Sequence, residues 1–282
     1  MAIIHLFSDN LFLLRALIAC IGISLICPIL GIFLMLRRMS LMGDAMSHAI
    51  LPGVALGFMF GGMSVLAMAL GGLIAGVGVT TLAGVVSRKT EIKEDASFAG
   101  FYLIALSLGV IIISKSGTNL DLMHILFGSI LAIGKDSLLI LSIIVSFSLI
   151  VFAIIIRPLA IDVFDKNLLR TFGVNSSFYH LIFLFLVVLN LVIDFQILGT
   201  ILVIGLMMLP ASCAKLLAKS LNNMLIIAIL SSLIASFAGI ILSYYCNLPT
   251  GPSIVIFNGA LYIMAILYVN IMKLIKQPHF KH

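Results

Sequence analysis

Charge is what this sequence has least of: only 9% of its 282 residues are Asp, Glu, Lys or Arg, against about 25% in an ordinary soluble domain. That scarcity excludes a water-soluble globular protein, as do a hydrophobic share of 63% and a mean hydropathy of +1.32. Motifs for several chemistries are missing as well. No G-x-x-x-x-G-K-[ST] loop is present to cradle phosphates, and Gly134-Lys135 is followed by Asp136, a carboxylate that repels them. The chain therefore has no ATPase motif of its own and does not read as an enzyme. It also lacks H-E-x-x-H and G-x-S-x-G, which removes the intramembrane metalloprotease and serine hydrolase readings. The four cysteines, Cys20, Cys27, Cys213 and Cys246, form no C-x-x-C and lie in apolar surroundings, where a free thiol packs as a small hydrophobe. No basic stretch and no small-residue cleavage site frame the first apolar run, so it reads as a retained span and not as a signal peptide.

What remains is apolar length. Lipid offers the backbone no hydrogen bonds, so long apolar runs must be helices, and the fold class is all-α: a polytopic membrane helix bundle of about eight or nine spans. Candidate spans fall at 11–36, 44–60, 63–86, 96–114, 136–156, 178–196, 198–214, 223–244 and 252–272. The shorter 121–134, which begins Asp121-Leu-Met-His124, reads as a re-entrant or interfacial helix. Lys and Arg stay on the cytoplasmic side. With the N-terminus outside and the C-terminus cytoplasmic, thirteen basic residues fall inside and three outside (Arg15, Lys115 and Lys135). The net charge of +6 and the pI near 9.3 thus face anionic lipid, and nucleic acid is excluded as a partner.

One segment stands out, Gly43-Asp44-Ala45-Met46-Ser47-His48-Ala49. On a helix, positions i and i+4 share a face, so Asp44 and His48 direct an oxygen and a nitrogen at one point. Zn²⁺ and Mn²⁺ both accept that donor set. A carboxylate inside a span is disfavoured by roughly 2.5–3.5 kcal/mol on insertion scales, which makes it a functional candidate whose partner must be named. The alternative is an internal Asp–His hydrogen bond acting as glue between helices. Pro52 continues the Asp44–His48 stripe and frees the His48 carbonyl. Beside it run Ala45, Ala49, Gly53, Gly57 and Gly61, small residues at every fourth position that let helix backbones approach closely. Asp44 lies only six residues beyond Arg38, roughly 9 Å of helical rise, which puts it toward the inner side and not at the midplane.

These residues resemble a family. Gly43 to Gly53 is similar to the signature of the permease subunits of bacterial zinc and manganese ABC importers, the ZnuB and MntB type. So, in the same order, are Leu126-Phe-Gly-Ser-Ile-Leu131, Phe164-Asp165 with Gly173-Val174, Leu198-Gly-Thr-Ile-Leu-Val203 with Leu209-Pro-Ala211, and Leu248-Pro-Thr-Gly-Pro252. The likeness spans nearly the whole chain, which is read as one permease domain over 1–282. It implies a multi-pass protein of the bacterial inner membrane, a homodimer, two cytoplasmic ATPase subunits that bind the ATP, and an external metal-binding protein. It further implies a cargo of Zn²⁺ first and Mn²⁺ second that passes by Asp44 and His48, with no permanently bound cofactor.

The resemblance also makes the segment at about 161–175 a coupling helix that docks on the ATPase. Its residues Asp162, Phe164, Asp165, Leu168, Leu169, Arg170, Phe172 and Gly173 form the most mixed-charge inner loop, with apolar residues at amphipathic spacing. A helix lying on the membrane surface is the alternative for that pattern. Leu169 and Thr171 stand where the family commonly has alanine, and Asn247 replaces a frequent Asp. An ion-coupled secondary metal transporter is the competing function, although the internal repeat common in such carriers is not evident here. Asp194 and Gln196 read as a solvated outer helix end, with a place in the outer gate as the alternative, and His5, His180, His279 and His282 receive no role.

Overall fold

The computed structural model describes residues 11–62, 64–116, 133–164 and 176–276, and all regular structure among them is helical. In chain order the helices are α1 (Leu11–Leu36), α2 (Met42–Ala49), α3 (Leu51–Gly61), α4 (Val65–Lys89), α5 (Glu94–Ser116), α6 (Lys135–Phe164), α7 (Ser176–Leu198), α8 (Thr200–Leu217), α9 (Leu221–Cys246) and α10 (Thr250–Lys276). Eight of them are long and apolar enough to cross a bilayer. The ninth apolar stretch of the sequence is the exception, because it is broken into α2 and α3 at Ile50. Pro52 sits in the first turn of α3. It has no N–H to offer the His48 carbonyl, and its ring crowds that same carbonyl, so the helix breaks there.

Local chemistry accounts for the other boundaries. Ser64 and Ser220 cap α4 and α9, each accepting a backbone N–H three residues on, which satisfies one of the donors a helix start leaves open. Arg88 and Lys89 close the last turn of α4, where cations suit the carbonyl end of the helix. Gly199 (φ 87°) ends α7 in a left-handed conformation that suits glycine, and α8 begins at the next residue. The short helix expected at 121–134 lies almost wholly outside the described residues.

The contacts group the helices into two compact units, α1 with α8, α9 and α10 in one and α2 to α7 in the other, the second beginning at Leu36. In the first unit, α1 meets α8 where Gly31 faces the backbone of Met207, and α9 meets α10 where Gly239 faces Ile254. A buried serine pair, Ser24 Oγ to Ser236 Oγ at 2.9 Å, ties α1 to α9.

In the second unit, α3 and α4 form a tight hairpin. A Cβ placed on Gly53 would fall on the Gly71 carbonyl oxygen, and one on Gly57 would come within 2.8 Å of the Met68 Cα. The helices touch backbone to backbone, which only glycine allows at these positions. Helix α7 packs against α2, α4 and α6 and is buried along most of its length. Its Asn190 donates to Ser148 Oγ of α6 at 2.7 Å.

Candidate metal pathway and its flanking ion network

Asp44 and His48 both lie on α2, with Asp44 in its first turn and His48 in its last. The helix is only eight residues long. It follows a tight turn in which Arg38 adopts φ 62°, so Asp44 stands at the start of a new helix, close in sequence to the end of α1. Ala45, Met46, Ser47 and Ala49 are buried, while Asp44 is exposed and His48 half-buried. Asp44 therefore stands open, while His48 lies partly covered against α5.

Among the described residues, the Asp44 carboxylate has no hydrogen bond or ion pair, and the contact of the His48 ring is a stacked one with Tyr102 of α5, centroids 6.4 Å apart. Nor is there, among the described residues, a cluster of three or more His, Cys, Asp or Glu able to hold a metal ion. Two ligands from one chain leave most of a divalent ion's coordination to water or to another chain.

The small-residue row divides in space. Ala45 and Ala49 are buried on α2, while Gly53, Gly57 and Gly61 of α3 meet Gly71 and Ala67 of α4. It is α4, across the hairpin, that receives the close approach.

A second polar site lies where the turn after α1 meets the ends of α5, α6 and α7. Arg37 Nη2 donates to Asp162 Oδ2 at 2.5 Å. The side chains are 10% and 2% exposed respectively, so this pair is withdrawn from water. Arg37 Nη1 meets His180 Nδ1, Ser176 Oγ donates to Asp162 Oδ1, and His180 Nε2 lies 2.7 Å from Glu94 Oε1. Since a guanidinium only donates, His180 Nδ1 must accept; the ring proton then sits on Nε2 and is donated to Glu94. The neutral ring in that tautomer satisfies both neighbours. Phe183 lies beneath the guanidinium, 5.7 Å from its ring centre. Burial pushes the Arg37 pKa below its ordinary value, while the Asp162 and Glu94 carboxylates draw it back up. Beside the network a cavity of about 480 Å³ is lined by charges that include Arg38, Lys93, Glu94 and Asp95.

This network changes several expectations. Asp162, expected on the docking face of a coupling helix, is buried and bound to Arg37 and Ser176, because α6 continues two turns past its apolar run and carries Asp162 against the Arg37 turn. Phe164, at the end of α6, is exposed at 72%. The other coupling residues, Asp165, Leu168, Leu169, Arg170, Phe172 and Gly173, lie outside the described residues. His180, left without a role, is the hub of the cluster. Asp194 is buried, not solvated, because α7 runs a further turn to Leu198. With its amide oriented to pair, Gln196 meets Val65 O and Ala69 N, both at 3.1 Å.

Eight bilayer-length helices and a proline-broken helix that carries an acid and an imidazole define a polytopic membrane protein. By its sequence this chain belongs to the ABC 3 transport family, whose model matches residues 9–269. It is a multi-pass protein of the bacterial inner membrane. The manganese transport system membrane protein MntC of Halalkalibacterium halodurans is 35% identical over 259 residues, 91% of this chain and 87% of that protein. The manganese import system permease protein ScaB of Streptococcus gordonii is 36% identical over 257 residues, 91% of each. The chelated iron transport system membrane protein YfeD of Yersinia pestis is 33% identical over 260 residues, 92% of this chain and 86% of that one. Among solved structures, PsaBC from Streptococcus pneumoniae in complex with Fab superposes with a TM-score of 0.80 at 33% identity, covering 93% of this chain and 95% of that one.

Proposed function

We propose that this chain is the membrane subunit of an ABC importer that moves a divalent transition metal into the cytoplasm, working as a homodimer with two ATPase subunits and an external metal-binding protein. Asp44 and His48 are the pathway ligands. The observation that carries this reading is that, among the described residues, no side-chain hydrogen bond or ion pair claims the carboxylate and the imidazole one turn apart, which supports brief binding of an ion. Two chains across a two-fold axis supply two Asp and two His, enough to replace part of an ion's water shell without trapping it.

Relatives named for manganese and for chelated iron support manganese first and iron next, ahead of the zinc that the motif resemblance favoured. His and Asp serve all three metals, so the donor types alone do not choose. In this reading the N-terminus is outside, the Arg37 network lies at the cytoplasmic end, and the α6–α7 connection docks on the ATPase.

Uptake by proteoliposomes holding the chain with its ATPase tests the proposal. Manganese accumulation should require ATP inside and disappear in Asp44→Ala and His48→Ala. Accumulation without the ATPase would point instead to an ion-coupled secondary carrier and sink the importer reading.

A further inference from the structure

The Arg37 network bridges two places that the functional reading needs connected. Asp162 and Ser176, 14 residues apart, are hydrogen-bonded to each other, so the end of α6 and the start of α7 are held together on either side of their connection. Arg37 stands seven residues before Asp44, in the turn that leads into α2, and forks between Asp162 and His180. Glu94, which takes the other side of His180, is the first residue of α5. Eight residues further along α5 is Tyr102, stacked on His48. Two physical routes thus run from the α6–α7 ends to the ligand pair, one through the Arg37 turn and one through α5.

We propose that Arg37, Glu94, Asp162, Ser176 and His180 act as a clamp of positioning residues that carries displacement of the α6 and α7 ends to helix α2, and so to Asp44 and His48. The inference rests on the reading of the α6–α7 connection as the ATPase-docking element. Moving those helix ends without Arg37 and Glu94 would leave a buried carboxylate and a buried guanidinium unpaired, a far costlier state than moving all of them together. None of the five belongs to the ligand pair, so their loss leaves the metal donors in place and removes the linkage.

The test compares metal moved with ATP consumed, in one preparation of the chain reconstituted with its ATPase, using manganese as the probe. Asp162→Asn keeps the side chain's shape and its contact with Ser176 but removes the charge that Arg37 grips. Arg37→Lys keeps a positive charge but cannot fork. In both variants ATP hydrolysis should stay within roughly twofold of wild type while manganese accumulated per ATP falls about tenfold, a loss of coupling of the usual size. Ser176→Ala, which removes a single hydrogen bond, should lower the ratio by roughly threefold and decides the matter if the other two do not assemble. Wild-type transport alongside variants with an unchanged ratio overturns the clamp alone. Loss of assembled complex in all three variants overturns it too, by reducing the network to a folding element. A wild-type complex that fails to accumulate manganese with ATP removes the functional reading, and the clamp with it.

Discussion

The two polar sites of the α2–α7 unit use the same kinds of side chain for opposite ends. At the Arg37 network the carboxylates, the imidazole and the guanidinium are matched to one another, and all but the half-buried Glu94 are withdrawn from water. At α2 the acid is exposed, and among the described residues the imidazole has only a stacked ring for company. A group whose hydrogen bonds are already made has little left for an ion, whereas an uncommitted donor binds whatever cation passes. Mutual pairing marks the Arg37 network, where among the described residues only the Arg37 Nε is left over, and exposure and incompleteness mark the candidate transport site.

The sharpest way to break the contrast is to remove one member of each site. Asp44→Ala should abolish ATP-dependent manganese uptake, at least about a hundredfold, while thermal unfolding of the purified chain shifts by no more than roughly 0.5 kcal/mol, as befits an exposed residue. A large stability loss would show that Asp44 is structural after all. Arg37→Met should behave in the reverse sense, costing about 3–5 kcal/mol because Asp162 is left buried and unpaired; denaturant or thermal titration in detergent measures it. An unchanged midpoint would mean the pair contributes nothing net.

Between these extremes, Gly53→Ala should destabilise by about 1–3 kcal/mol, since the added methyl falls on the Gly71 carbonyl and pushes the α3–α4 hairpin apart. Loss of a disulfide cross-link engineered between the two helices would report that separation. The smallest expected effect is at Tyr102. Tyr102→Leu removes the ring stacked on His48, worth about 0.5–1.5 kcal/mol, and should weaken apparent manganese affinity several-fold, whereas Tyr102→Phe should not. Equal effects of the two would transfer the role from the ring to the hydroxyl.

Much of the fold was legible before any coordinates, because an apolar run long enough to span lipid is a local property. The runs 11–36 and 178–196 correspond to α1 (Leu11–Leu36) and α7 (Ser176–Leu198) within two residues at each end. The run 44–60 contained its own exception in Pro52, whose effect on the His48 carbonyl was readable although the break at Ile50 was not. Asp44 and His48 were visible as candidates for the same local reason, a spacing of four. His180 was not. Its partners Arg37 and Glu94 are 143 and 86 positions away, and each of the three resembled an ordinary charge at a helix end. Asp162 was assigned outward for the same reason, since nothing near it in sequence announces Arg37, 125 positions earlier.

The amino-acid order alone determined that the chain lives in a bilayer as a set of helices and that one of those helices presents an acid and an imidazole on a single face. Transfer free energy and the 3.6-residue period act over a few turns, so a single strip of sequence contains them. Which charges would be consumed inside the protein and which left open was decided only when distant helix ends met around Arg37, because the electrostatic fate of a side chain depends on what stands a few ångströms away and not on its neighbours along the chain.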